Sequence, residues 1–272
     1  MSPQYTFVTD PDRLLASLGV AVPAEVAWGG AEADSGSVPL LLRTEATPAG
    51  ALGEWRAARL GLLPRLATDP GLARHTVHCR AETMKSEPAF RESWWAGRRS
   101  VAAVSHLSAW CYATGRPERW DVQRADAAPL LLAGLWNEWT GPGGEAVLSF
   151  SLLTLAASGH AVFGRLGAPD REPRMPVILP PAALWPWLAG SLKDAERLLQ
   201  RHPAEALQAA PPEQPPAAAW REPKSWAAVP DMFAHEWHAV AAEPPRPRRP
   251  RAPRALRPQT PESAGPTTAD LF

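Results

Sequence analysis

Residues 129–155 read PLLLAGLWNEWTGPGGEAVLSFSLLTL. Two apolar runs, PLLLAGLW (129–136) and VLSFSLLTL (147–155), flank the Gly141–Gly144 turn, the pattern of a β-hairpin whose strands are largely buried. VPLLLR (38–43) and SVAAVSHLSAW (100–110) have the same character and predict two more strands. Short helix signals lie between them. Asp10 before Pro11, then Leu14, Leu15, Leu18 and Gly19, predicts a capped two-turn helix with a glycine stop. Ala89–Ala96 predicts a second, with Phe90 and Trp94 on one face and Gly97 at its end. After RMPVIL (174–179), the proline pair of PPAALWPWLAG starts a helical region that SLKDAERLLQ continues. Strands interleaved irregularly with short helices predict an α+β domain rather than a βαβ repeat.

The chain of 272 residues is long enough for a substantial core. Its 28 basic and 28 acidic side chains exclude a histone-like polycation but leave room for a local basic patch. Two cysteines, Cys79 and Cys111, cannot make a disulfide scaffold, so a reducing, cytoplasmic setting is expected. No apolar run is long enough to span a membrane, and MSPQYTFVTD has neither the basic nor the apolar segment of a secretion signal.

The averages conceal two unlike parts. Of 32 prolines, 15 lie in the last 70 residues. From Ala241 to Phe272, six arginines face Glu243, Glu262 and Asp270, a local charge of +3 that leaves −3 on the preceding chain. Segments such as EPPRPRRPRAPRALRPQTP cannot bury enough apolar surface to offset the entropy of ordering. A folded domain over 1–210, a loosely structured segment over 211–240 and a disordered Pro/Arg-rich tail over 241–272 are therefore expected. Extended at ~3.1 Å per residue, the 27 residues from Ala241 to Thr267 would reach roughly 80 Å.

Common catalytic signatures are missing: no phosphate loop, dinucleotide fingerprint, kinase set or G-x-S-x-G elbow occurs. His235-Glu-Trp-His238 lacks one residue of the zinc-protease spacing and has no third ligand in sight. Neither a metal nor a cofactor is expected. Among thirteen tryptophans, Trp136, Trp139, Trp185 and Trp187 sit in strand or helix patterns and are read as core. Cys79 and Cys111 are read as buried structural thiols.

Four stretches carry more information. SPQYTFVTDP (2–11) is similar to a Cys-Gly-Arg-Phe segment running into a first helix. ARLGLLPRLATDPGLARHTVHCRAET (58–83) is similar to Arg-Trp-Gly-Leu-(Ile/Val)-Pro followed by Asn-Ala-Arg-x-Glu-Thr. FRESWWAGRRSVAAVSHLSAW (90–110) resembles a Phe-Arg segment that ends in Glu-Trp. LLLAGLWNEW, SLLTLAAS and PRMPVIL resemble Ala-Gly-Leu-Trp-Glu, Thr-x-x-Ala-Asn and His-x-Arg-Met-Pro-Val. In this order and spacing, the stretches resemble the SOS response-associated peptidase (SRAP) family, which handles abasic sites in single-stranded DNA, over roughly residues 2–200.

The resemblance implies an antiparallel, barrel-like sheet core with flanking short helices and an active site built around the processed N-terminus. In the family, an N-terminal cysteine traps the aldehyde of an opened abasic site as a thiazolidine, assisted by an asparagine, a glutamate and a histidine. Here those four positions are Ser2, His78, Ala109 and Glu172. The glycine and arginine after the cysteine are Pro3 and Gln4, and WGGAEADSG (28–36) replaces an Asn-Ala-Pro motif. Arg80, Glu82, Thr83, Trp110 and Arg174 are kept.

In the family the two kept arginines face the phosphates of the abasic site, a role guanidinium suits through bidentate donation, so the resemblance implies that Arg80, Arg174 and Trp110 contact DNA. The bland reading has both arginines bridging strands or pairing with Glu82 and Asp170. Retained chemistry would need the amine of Ser2, after removal of Met1, with His78 or Glu172 shuttling protons and His160 as a stand-in histidine. A third reading is a scaffold that bridges repair proteins without touching DNA. The chain closes with Asp270-Leu271-Phe272, which resembles the end of the bacterial sliding-clamp peptide Gln-Leu-(Ser/Asp)-Leu-Phe. Adjacent apolar anchors on a polar tether suit a preformed pocket.

Overall fold

The computed structural model describes residues 3–32 and 36–211, which belong to one compact unit, Met1–Gln214. In chain order the strands are β1 (Gln4–Phe7), β2 (Val38–Leu42), β3 (Glu54–Leu60), β4 (His78–Arg80), β5 (Arg99–Cys111), β6 (Glu118–Arg124), β7 (Leu130–Thr140), β8 (Ala146–Ala156), β9 (Arg174–Pro176) and β10 (Leu207–Ala210). The α-helices are α1 (Pro11–Leu18), α2 (Arg91–Trp95), α3 (Leu184–Leu188) and α4 (Leu192–Arg197).

Strands β5, β2, β3, β8 and β7 pair in a closed circuit, because β7 bonds to both β8 and β5. The pairing is antiparallel except where β3 and β4 lie parallel to β8. Closure explains why the strands read as unbroken apolar runs. Along β5, Ala102 and Val104 join the interior cluster with Leu40, Leu132, Phe150 and Leu152. The alternate residues Val101 and Ala103 join an outer cluster with Leu14, Phe90, Trp94 and Trp187, which the helices contribute. Both faces of the sheet are thus covered, and little polar alternation survives.

The helix boundaries follow local chemistry. Asp10 accepts from the Arg13 N–H at 2.9 Å and caps α1, and Gly19 ends it in the left-handed region. Ser191 and Asp194 form a reciprocal capping box that restarts the chain as α4. The β7–β8 turn closes through Gly141 N–H to Glu145 O and Gly144 N–H to Gly141 O.

The tryptophan reading needs one correction. Trp136, Trp139 and Trp187 are buried, but Trp185 is 47 % exposed beneath the Arg43 guanidinium. The short α3 helix turns Leu184, Trp187 and Leu188 inward, which leaves Trp185 on the opposite side. Both cysteines are buried free thiols. No helix among the described residues is long and apolar enough to cross a membrane. Residues His235 and His238, and the segment Asp270–Phe272, lie outside the described residues.

Candidate functional site

A cavity of about 550 Å³ opens where the interior cluster meets the surface, at the ends of β1, β4, β5 and β9. Its lining includes Pro3, His78, Arg80, Ala109, Trp110, Glu172 and Arg174. These positions come from four separate parts of the chain, and the barrel topology gathers them. β4 lies parallel to β8, with His78 opposite Leu152 and Arg80 opposite Thr154. β9 pairs with the same strand from the other direction, placing Arg174 opposite Ala156. Strand alternation turns His78 and Arg80 to the cavity while Cys79 enters the outer core. Loop residues Phe163, Leu166 and Gly167 cover one side, stitched to β5 by Gly167 N–H to Trp110 O at 2.8 Å.

The three arginines at this cavity are not equivalent. Arg174 donates to Glu82 at 2.6 Å and 3.2 Å, to Glu172 at 3.1 Å and to the Thr154 carbonyl at 2.9 Å. Burial by itself would raise the Glu82 pKa, but the Arg174 hydrogen bond and charge, with the Ala156 N–H, hold it below the usual value. Of the alternatives for Arg174, strand bridging and pairing with Glu82 are what the structure shows. Its second carboxylate is Glu172 rather than Asp170. Arg80 and Arg171 are exposed, and neither guanidinium has an ion pair or hydrogen bond among the described residues.

His78 lies against the buried Tyr5 ring, and Tyr5 Oη is 2.7 Å from His78 Nε2. Burial pushes the His78 pKa down to about 4 and the Tyr5 phenol far above its ordinary value. Both groups are therefore neutral near pH 7. Ala109 places only a methyl group on the buried wall. The cavity-lining carboxylate Glu172 is held by Arg174.

One expectation changes with this geometry. His160 does not line the cavity. Its Nδ1 accepts the Val162 and Phe163 N–H groups and its Nε2 meets the His202 carbonyl, so it organises a loop. Gln4 faces a neighbouring hollow of about 570 Å³ with Arg59 and Arg74, on the far flank of β1. Ser2 lies outside the described residues, although Pro3 borders both hollows. Sequence reasoning missed Tyr5, Thr154 and Arg171. Arg171 was open to discovery as the charge immediately before Glu172, whereas Tyr5 carries no sign of its partner until the fold closes.

The family model described as SOS response associated peptidase (SRAP) matches residues 10–214. The mouse abasic site processing protein HMCES is 26 % identical over 184 residues, in a match that covers 55 % of this chain and 49 % of that protein. The chain therefore spans about half the length of this curated relative. A crystal structure of a Bordetella bronchiseptica protein matches with a TM-score of 0.67 and 25 % identity, over 78 % of this chain and all of that one. A Bacteroides thetaiotaomicron structure matches with a TM-score of 0.63 at 18 % identity, over 76 % of this chain and 90 % of that chain, a likeness of fold alone. With three quarters of its length under one family model and the barrel shared with solved relatives, this chain belongs to the SRAP family.

Proposed function

We propose that this chain binds single-stranded DNA at abasic sites in the DNA damage response, through the cavity beside β1, with the family's catalytic set largely lost. The observation that carries the reading is the convergence of the substituted positions His78, Ala109 and Glu172 with Arg80, Trp110 and Arg174 on one cavity. A site of this volume accommodates a sugar–phosphate unit without a base. The Arg80 and Arg171 guanidiniums, unpaired among the described residues, supply phosphate donors at its rim, and the half-buried Trp110 supplies an apolar wall. The proton-transfer groups fare differently. Ala109 cannot move a proton, and Glu172 would have to leave Arg174 first. Loss of one general acid or base typically costs ~10²–10⁴ in rate.

A second reading keeps some chemistry. Pro3 lines the cavity, and in this reading the amine of Ser2, freed by removal of Met1, forms an imine with the aldehyde. Incubation with an abasic single-stranded oligonucleotide and borohydride separates the readings, alongside intact mass of the N-terminus. Gel-shift binding that prefers the abasic strand, without a trapped adduct, supports the binding module. A trapped adduct supports the enzyme. Absence of both sinks the DNA readings and favours the protein-bridging one. The Asp270-Leu271-Phe272 end would add a contact with a bacterial sliding clamp, a proposal that rests on sequence alone.

A further inference from the structure

The Tyr5–His78 contact decides what His78 can offer to a ligand. The buried phenol carries its proton throughout the working pH range, and among the described residues its hydroxyl meets only His78 Nε2, at 2.7 Å. If Nε2 carried the imidazole proton, the Tyr5 proton would be left buried without an acceptor, a penalty comparable with losing a hydrogen bond. The arrangement that satisfies both groups has Tyr5 donating and Nε2 accepting. A neutral imidazole that accepts at Nε2 carries its proton on Nδ1. His78 Nδ1 has no partner among the described residues and is not sealed from solvent, and the ring lines the cavity.

Nδ1 of histidine is bonded directly to Cγ, as is the amide nitrogen of asparagine. A protonated Nδ1 therefore presents an N–H at about the position of an asparagine amide on the same backbone. With Nε2 occupied and Nδ1 protonated, neutral His78 has no free lone pair for a ligand proton.

We propose that Tyr5 is a positioning residue that fixes His78 as the Nδ1–H tautomer, making it an asparagine-like hydrogen-bond donor to an oxygen of the bound sugar–phosphate rather than a base. The second half rests on the DNA-binding reading; the tautomer does not. Two-bond ¹H–¹⁵N correlation spectra of the full chain test the tautomer directly, with His78→Asn assigning the signal by its disappearance. The expected spectrum has a pyridine-like Nε2 and a pyrrole-like Nδ1 for His78, and Tyr5→Phe shifts population to the other tautomer. A pyrrole-like Nε2 in the unaltered protein overturns the proposal, and this readout survives even if Tyr5→Phe fails to fold. Fluorescence polarisation with an abasic single-stranded oligonucleotide tests the donor. His78→Asn should bind within about twofold of the parent, and His78→Ala about fivefold more weakly, the size of one hydrogen bond. Equal losses in both variants overturn the donor role. If the parent itself does not bind the oligonucleotide, the functional reading fails with the donor's target, while the spectrum still decides the tautomer.

Discussion

Arg174 is held by more acceptors than a phosphate-binding side chain could release cheaply. Two carboxylates and the Thr154 carbonyl share its guanidinium, and the side chain is only 19 % exposed. Arg80 and Arg171 are solvated at the same cavity and hold no such bonds among the described residues. Separate effects are expected from their removal. Arg80→Ala and Arg171→Ala should weaken single-stranded DNA binding and each lower the salt slope by about 0.7, with no change in melting temperature. Arg174→Ala should instead destabilise the fold by roughly 1–3 kcal/mol, because it strips a mostly buried hub from β8 and β9. Calorimetry and salt-titrated polarisation separate the classes; a stable Arg174→Ala protein with a lower salt slope would reverse the assignment. Much of this site was legible in the sequence as positions, since His78, Arg80, Ala109, Trp110, Glu172 and Arg174 occupy one cavity. Their states were not. That Arg174 is consumed by Glu82 and His78 by Tyr5 depends on pairs 92 and 73 residues apart.

The elements show a matching division. β5, β7 and β8 were readable because each is long and apolar on both faces. β3 and β6 were not, because Glu54-Trp-Arg-Ala-Ala-Arg-Leu and Glu118-Arg-Trp-Asp-Val-Gln-Arg are rich in charge and gain their strand state from neighbours. β1 and β4 are only four and three residues long, too short for any periodicity, yet both border the cavity. What aims the chain from β3 towards β4 is Gly61. Its φ is +102°, its N–H bonds to Phe150 O, and a Cβ there would meet the Ala73 carbonyl oxygen at 2.2 Å. Both the backbone region and the space exclude a side chain. Gly61→Ala should cost roughly 2–3 kcal/mol and lower the melting temperature by about 5 °C or more. The 3₁₀ turn Pro70–His75 would have to move, and with it the approach to His78. A calorimetric scan within 1 °C of the parent would show that this junction is slack.

At the scale of the whole chain, neutrality is the sum of a body at −3 and a final segment at +3. Around the cavity three arginines, Arg80, Arg171 and Arg174, face two carboxylates, Glu172 and the Glu82 that Arg174 also holds, so the local balance is positive although the body's total is not. The described fold ends with β10 paired to β6, and the compact unit closes at Gln214. Shortening the chain to residues 1–214 should therefore leave the melting temperature unchanged while altering binding. Each arginine of the 246–257 cluster that engages single-stranded phosphate contributes about 0.7 to the salt slope, so all six would contribute roughly four. Affinity of the shortened chain should fall most at low salt and converge with the parent at high salt. Preference for an abasic over an intact strand should persist if, as proposed, that discrimination belongs to the cavity. The same pair of proteins tests the terminal peptide: only the full chain should bind an immobilised bacterial sliding clamp, and Leu271→Ala with Phe272→Ala should abolish that binding without changing the salt slope. Identical salt slopes for the two lengths would remove the tail from DNA binding, and equal clamp binding by both would remove Asp270–Phe272 as the docking element.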